Sequence, residues 1–158
     1  TVSRLNYGSA ESPTRGLFAG GYSPSNQNVI SYITIASAGN ATDFGDLSAS
    51  ARGQTGTSSP TRALFAGGNN PGKLDVIEYV TIATTGNVTD FGNLTAGTSA
   101  PEGASNKVKG IFAGGNDGSV TNTINDVTIA STGNATDYGD LTVARSQHGG
   151  SSNGHGGL

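Results

Sequence analysis

The sequence predicts an all-β fold built from tandem 47-residue repeats, each holding four short strands, the size of a propeller blade. Three observations carry this reading. Phe18-Ala19-Gly20-Gly21 returns as Phe65-Ala66-Gly67-Gly68 and again as Phe112-Ala113-Gly114-Gly115, two equal steps of 47 residues. The ordered runs are rich in β-branched and aromatic residues, and no segment sustains an apolar stripe at helical spacing. Finally, 158 residues with 26 glycines, 33% hydrophobic residues and no Trp, Met or Cys cannot supply a thick core of large side chains. Ordering costs about 1 to 2 kcal/mol of backbone entropy per residue, so such a chain must bury its backbone in a regular, small-residue scaffold or stay disordered.

Within the repeat, residues 16–19 form a short apolar strand stopped by Gly20-Gly21, where the missing Cβ atoms permit positive φ or close backbone approach. Residues 29–35 form a second strand, with Ile33 and Ile35 on one face and Ile30 and Tyr32 on the other, so both faces are expected to be covered. A third strand surrounds 42–47, and a weaker fourth lies within 50–59, where Gly, Ser and Thr leave little signal. The 47-residue step also carries Thr34-Ile35-Ala36, Gly39-Asn40 and Thr42-Asp43-Phe44-Gly45 onto their counterparts. Repeats 14–60 and 61–107 match at 24 of 47 positions without a gap, and the third repeat runs 108–154. Residues 1–13 fill the last part of a preceding repeat and 155–158 begin a fourth, so 1–17 corresponds to 142–158. A ring normally needs at least four blades; three must be closed or extended by other copies, or form an open β-solenoid or fibre shaft instead.

Eight basic and eleven acidic residues give a net charge of −3 without a basic cluster, which argues against a nucleic-acid partner. No apolar run approaches the length of a membrane span, so no membrane insertion is expected. Without cysteine there is neither a disulfide, nor a Cys-zinc site, nor a thiolate nucleophile. Three near-identical copies also argue against one unique pair of catalytic carboxylates. Neither a catalytic residue nor a cofactor is expected.

Several residues remain as candidate sites. Asp43 with Asp46, and Asp137 with Asp140, sit three apart about an aromatic-Gly element that reads as a turn. They are weak calcium candidates, because calcium wants six to eight oxygen ligands, and the competing reading is a turn whose carboxylates accept backbone N–H groups. His148 and His155 lie in a Gly-rich segment that reads as a polar, exposed tail. Asn40, Asn87, Asn93 and Asn134 open N-x-[ST] sequons and are N-glycosylation acceptors if the chain is made in a glycosylating organism. Arg15, Arg62 and Lys109 share one repeat position, and pairing with the recurrent Asp43, Asp90 and Asp137 is one expectation. Phe18, Phe65 and Phe112 read as core. The segments 22–28, 69–75 and 116–122 change composition from copy to copy, as a varied surface on one edge of a constant scaffold would. Tyr22, Asn26, Asn69, Asn70, Asn116 and Asp117 are therefore candidate contacts for a host-surface glycan or receptor.

The hydrophobic residue before Gly-Gly, the Ile-x-Tyr strand and the aromatic-Gly-Asp-Leu element together resemble a kelch-type blade without its tryptophan. More specifically, Thr14 to Gly21, Ile30 to Ala36 and Gly39 to Leu47 resemble repeats in kelch-like structural proteins of tailed phages from aquatic and cyanobacterial hosts. That resemblance implies a noncatalytic tail-fibre or virion-surface role displaying the variable loops, with the alternative of an extracellular filament or propeller-type adhesion module outside phages. The near-identity of 1–4 and 142–145 adds the expectation of a homo-oligomer through the repeat ends.

Overall fold

A computed structural model describes residues 3–152; His155 and the start of a fourth repeat lie outside them. Twelve strands form three four-stranded antiparallel meanders among the described residues. Sheet one holds β1 (Gly8–Glu11), β2 (Arg15–Ala19), β3 (Gln27–Thr34) and β4 (Thr42–Ala51). Sheet two holds β5 (Thr55–Ser58), β6 (Arg62–Ala66), β7 (Val76–Thr81) and β8 (Thr89–Asn93). Sheet three holds β9 (Glu102–Ser105), β10 (Lys109–Ala113), β11 (Thr123–Thr128) and β12 (Thr136–Asp140). The sheets form an open tandem row that does not close into a ring.

The sheets are phased differently from the sequence repeats. The weak fourth strand expected within 50–59 is β5, and it hydrogen-bonds forward to β6 rather than back to β4. Each sheet thus takes its first strand from the segment before the Phe-Ala-Gly-Gly motif, and 1–13 supplies β1 for sheet one. β1, β5 and β9 also run beside one another across sheets. A Cβ on Gly56 would overlap the Ser9 carbonyl, and one on Gly103 would overlap the Gly56 carbonyl, so glycine is what permits this approach. The three strands and 150–152 border a shared cavity of about 360 Å³.

The aromatic-Gly element is a bulge inside a strand, not a turn. Ile30 pairs with Gly45 and Ser31 with Asp43, leaving Phe44 as the extra residue; the shift recurs at Ile77/Glu78 and Ile124/Asn125. Gly45 and Gly92 both have φ of 149°, open to glycine, and the bulge aims Phe44 and Phe91 into the space before the next sheet.

Two apolar layers lie between the sheets. Leu17, Ile30, Phe44 and Leu47 of sheet one meet Phe65, Val80 and Ile82 of sheet two. Leu64, Ile77, Phe91 and Leu94 then meet Phe112, Val127 and Ile129 of sheet three. The middle sheet is therefore covered on both faces, as the two-sided pattern of the second strand predicts. Sheet one is not: Ile35 is 53% exposed where its counterparts Ile82 and Ile129 are 2% and 1% exposed. Phe18, expected as core, is half-buried for the same reason, since among the described residues no preceding sheet lies over it.

Truncation of Phe65 to Ala should cost about 3 to 5 kcal/mol, the range for emptying a buried aromatic site. Phe18→Ala should cost clearly less, because Phe18 is only partly buried. Urea unfolding of both variants checks the ranking, and equal losses would show that inter-sheet burial does not hold the fold.

Candidate functional site

Two surfaces gather the polar chemistry: the joint between consecutive sheets and the edge formed by the variable loops. At the joint, the loop before the last strand of one sheet pairs with the free edge of the last strand of the sheet before it. Gly86 N–H donates to the Phe44 carbonyl at 2.7 Å and Val88 N–H to the Asp46 carbonyl at 3.0 Å. Asn87 Oδ1 accepts the Asp46 N–H at 3.0 Å. The second joint repeats the set, with Gly133 to Phe91 at 2.7 Å, Ala135 to Asn93 at 2.8 Å, and Asn93 N–H to Asn134 Oδ1 at 3.0 Å. Asn87 and Asn134, met in the sequence as sequons, are thus clamps that satisfy an otherwise open strand edge. Both are exposed, as are Asn40 and Asn93, but Asn40 has no strand edge to clamp among the described residues.

A second set of cross-sheet contacts starts at the recurrent cations. Arg15 Nη1 donates to the Ile82 carbonyl at 2.7 Å, and its guanidinium lies 4.7 Å from the Tyr32 ring centre. Tyr32 in turn stands edge-on to Phe44 at 5.8 Å. Arg62 repeats this with the Ile129 and Ala130 carbonyls and with Tyr79, which stands edge-on to Phe91. The expected pairing with Asp43, Asp90 and Asp137 is not formed, because the arginines point along the tyrosine faces toward carbonyls of the next sheet. The one ion pair among the described residues joins Lys109 to Asp126, inside sheet three. Hydrogen bonds from Lys109 and then Thr136 hold the Asp126 carboxyl below the usual carboxylate range, and Asp126 holds the Lys109 ammonium above the ordinary lysine value.

The remaining acids do not assemble a site. Asp43 and Asp46 flank one bulge and Asp137 and Asp140 another, and no group of three or more His, Asp or Glu able to hold a metal occurs among the described residues. Asp137 Oδ1 accepts the Gly139 N–H at 2.9 Å, the backbone role that competes with calcium binding. His148 departs from the expected solvated tail. It is half-buried, with Nδ1 shielded and unpartnered, and its ring lies in the space that the missing side chain of Gly114 leaves open.

Glu78 is a buried acid that no sequence pattern singles out. It lies in the first joint, 8% exposed, and Oε1 accepts the Ser48 N–H at 3.2 Å. Burial raises its pKa above the ordinary 4.5, against the opposing hydrogen bond from Ser48. At the same place in the second joint, Asn125 accepts the Thr95 N–H with a neutral amide.

The variable loops form one continuous edge. Tyr22 pairs with Leu5 and Asn26, Asn69 with Arg52 and Lys73, and Asn116 with Ser99 and Val120, as single antiparallel bridges. Successive loops also touch: Asn26 Nδ2 donates to the Asn69 carbonyl at 3.0 Å, and Lys73 Nζ donates to Asn116 Oδ1. The Tyr22 ring is 38% exposed and lies under the Arg52 guanidinium. Asn116 and Asp117 use side-chain oxygens within their own turn, accepting from Gly118 and Ser119. The structure therefore brings the six candidate contact residues to one edge, where Tyr22 and Asp117 are exposed and Asn70 is half-buried.

Among the described residues no helix is long and apolar enough to cross a membrane. Neither a protein-family model nor a curated protein matches the chain.

Two outcomes follow from the joint. Asn87→Ala should lower stability by about 0.5 to 1.5 kcal/mol, the net worth of a hydrogen bond, while Asn40→Ala leaves the isolated chain unchanged in chemical denaturation. Glu78 binds its proton more tightly folded than unfolded, so its contribution weakens the fold as pH rises from 4.5 through the raised folded value. Glu78→Gln keeps the acceptor for Ser48 and removes that loss. It should raise Tm by a few degrees at pH 7 and have little effect at pH 4, a difference that thermal melts at the two pH values would register.

Proposed function

We propose that this chain is a structural repeat module of an extracellular filament or adhesive surface protein, in which the sheets are scaffold and the loop edge meets a surface glycan or receptor. The observation that carries this reading is the division of labour along the repeat. Strands, bulges and joints recur at 47-residue spacing with the same bonds, while the segments that differ in composition lie side by side on one edge. An edge of amide groups beside an arginine-backed tyrosine suits carbohydrate, whose hydroxyls take amide hydrogen bonds and whose C–H faces stack on aromatic rings. The polar groups of the joints, by contrast, are spent on neighbouring backbone, which supports a scaffold without catalytic residues of its own. The phage tail-fibre setting rests on the sequence resemblance; the tandem architecture fits a non-phage filament equally, and immunogold labelling of cell-surface filaments against purified virions separates the two.

Binding of the purified chain to an array of bacterial and algal surface glycans tests the reading. The parent should retain a defined set of glycans, and Tyr22→Ala with Asn70→Ala should weaken retention at least tenfold with an unchanged melting temperature. Absence of binding by the parent, or undiminished binding by the double variant, would overturn the assignment of the loop edge.

A further inference from the structure

We propose that the outer face of sheet three docks on the outer face of sheet one of a second copy of this chain, head to tail, through the joint that the chain already makes twice within itself. The proposal rests on the structural-module reading and adds the partner and the contacts.

Each half of the joint is present, and the strand edge and clamp loop that would meet are uncovered among the described residues. The edge of β12 places Tyr138 and Asp140 where β4 places Phe44 and Asp46 and β8 places Phe91 and Asn93. Gly39-Asn40-Ala41 of sheet one stands where Gly86-Asn87-Val88 and Gly133-Asn134-Ala135 clamp those edges, and all three residues are exposed. Docking would give Tyr138 C=O the Gly39 N–H, Asp140 C=O the Ala41 N–H, and Asp140 N–H the Asn40 Oδ1. An open strand edge in the chain thereby gains the protection that its two counterparts already have.

The apolar partners match as well. Tyr138 is 63% exposed where Phe44 and Phe91 are each 2% exposed, and Ile35 is 53% exposed where Ile82 and Ile129 are nearly covered. Ile111, Ile124 and Leu141 stand at the places of Leu17, Ile30 and Leu47, half-buried where those three are 0%, 0% and 3% exposed. Gly139 gives an independent sign. It keeps φ of 137° with nothing within 4 Å of a would-be Cβ, whereas at Gly45 and Gly92 that space is filled by the carbonyls of Gly86 and Gly133. The gap beside Gly139 is the one a Gly39 carbonyl would enter.

Sheet three does carry more polar groups here, with Lys109, Asp126 and Tyr138 in place of Arg, Tyr and Phe. These suit a joint that forms and dissolves between molecules. Lys109 stands at the repeat position from which Arg15 reaches the Ile82 carbonyl, so its ammonium, held by Asp126 in the single chain, would have the Ile35 carbonyl of the second copy as its counterpart. Residues 146–152 occupy the place that residues 5–11 of the arriving copy require. Gly150 packs on Glu102 and Gly103 and Gln147 N–H donates to the Ala100 carbonyl at 3.4 Å, but among the described residues this stretch forms no strand, whereas β1 is held on β2 over four register pairs. The tail is what moves aside. Because the contacting faces differ, the contact is heterologous, and the operator that relates the sheets within one chain continues from copy to copy.

Sedimentation velocity of the full chain and two surface variants tests the proposal. The parent should associate at micromolar concentration into species of at least twice the chain mass. Ile35→Glu spoils only the receiving face and Tyr138→Glu only the docking face; both positions are exposed, so the far-UV spectrum should not change. Each variant alone should show association weakened tenfold or more. An equimolar mixture should form a one-to-one dimer that grows no further, since each variant contributes the face the other lacks. A monomeric parent, variants that assemble as the parent does, or a mixture that stays monomeric would overturn the proposal. Glycan retention by the monomeric variants is read separately, so failure of the joint and failure of the loop-edge reading remain distinct.

Discussion

A sheet of this sequence has two apolar faces and no means of covering either by itself, and the rest of the structure follows from that constraint. Burying a face against the next sheet requires the sheets to approach closely at their inner strands and at their outer edges. Both approaches are made with glycine: at Gly56 and Gly103 on the inner strands, and at Gly45 and Gly92 in the bulges. The bulge also aims one aromatic ring per repeat across the gap, so the residue that fills the layer and the residue that allows the approach are adjacent in the chain. Glycine content that looks like a deficit of core material is thus part of how the core forms.

Polar groups in the joints follow the same logic. The last strand of each sheet leaves an open edge, and the Gly-Asn loop of the next repeat satisfies it with two backbone donors and one side-chain acceptor. Arginine extends the bond set by stacking on tyrosine while its head reaches a carbonyl of the following sheet. A planar cation suits both tasks at once; where sheet three has Lys109 instead, the ammonium turns to Asp126 in its own sheet. Glu78 shows the limit of this tolerance, since the acceptor it supplies at one joint is supplied by an uncharged amide at the other.

Much of the architecture was legible in the sequence because the period of 47 is strict: strand positions, the two-sided second strand and the grouping of the variable loops on one edge all follow from it. The phase of the sheets was not. β5 is a run of Thr, Gly and Ser whose membership is decided by pairing with β6 across a tight turn, and nothing in those residues distinguishes forward from backward pairing. Nor was the bulge, because an Asp-Phe-Gly-Asp run has turn composition, and only the register of the neighbouring strand shows that it continues through. The clamping asparagines were visible as repeated Gly-Asn pairs but explicable by local turn chemistry alone. Their partners lie 41 residues away, a separation no local pattern reports. Glu78 carried no signal, since its burial depends on a sheet formed by the preceding repeat.

The borrowing of each sheet's first strand from the preceding repeat bears on how such genes change length. A unit excised or duplicated between any two equivalent points leaves every sheet with four strands, because the strand lost from one side of the cut is replaced by its equivalent from the other. Recombination therefore needs no particular breakpoint to yield a foldable product. Arrays of this kind can drift in repeat number in steps of 47 codons while each junction stays intact, and the loop edge then lengthens or shortens in whole units.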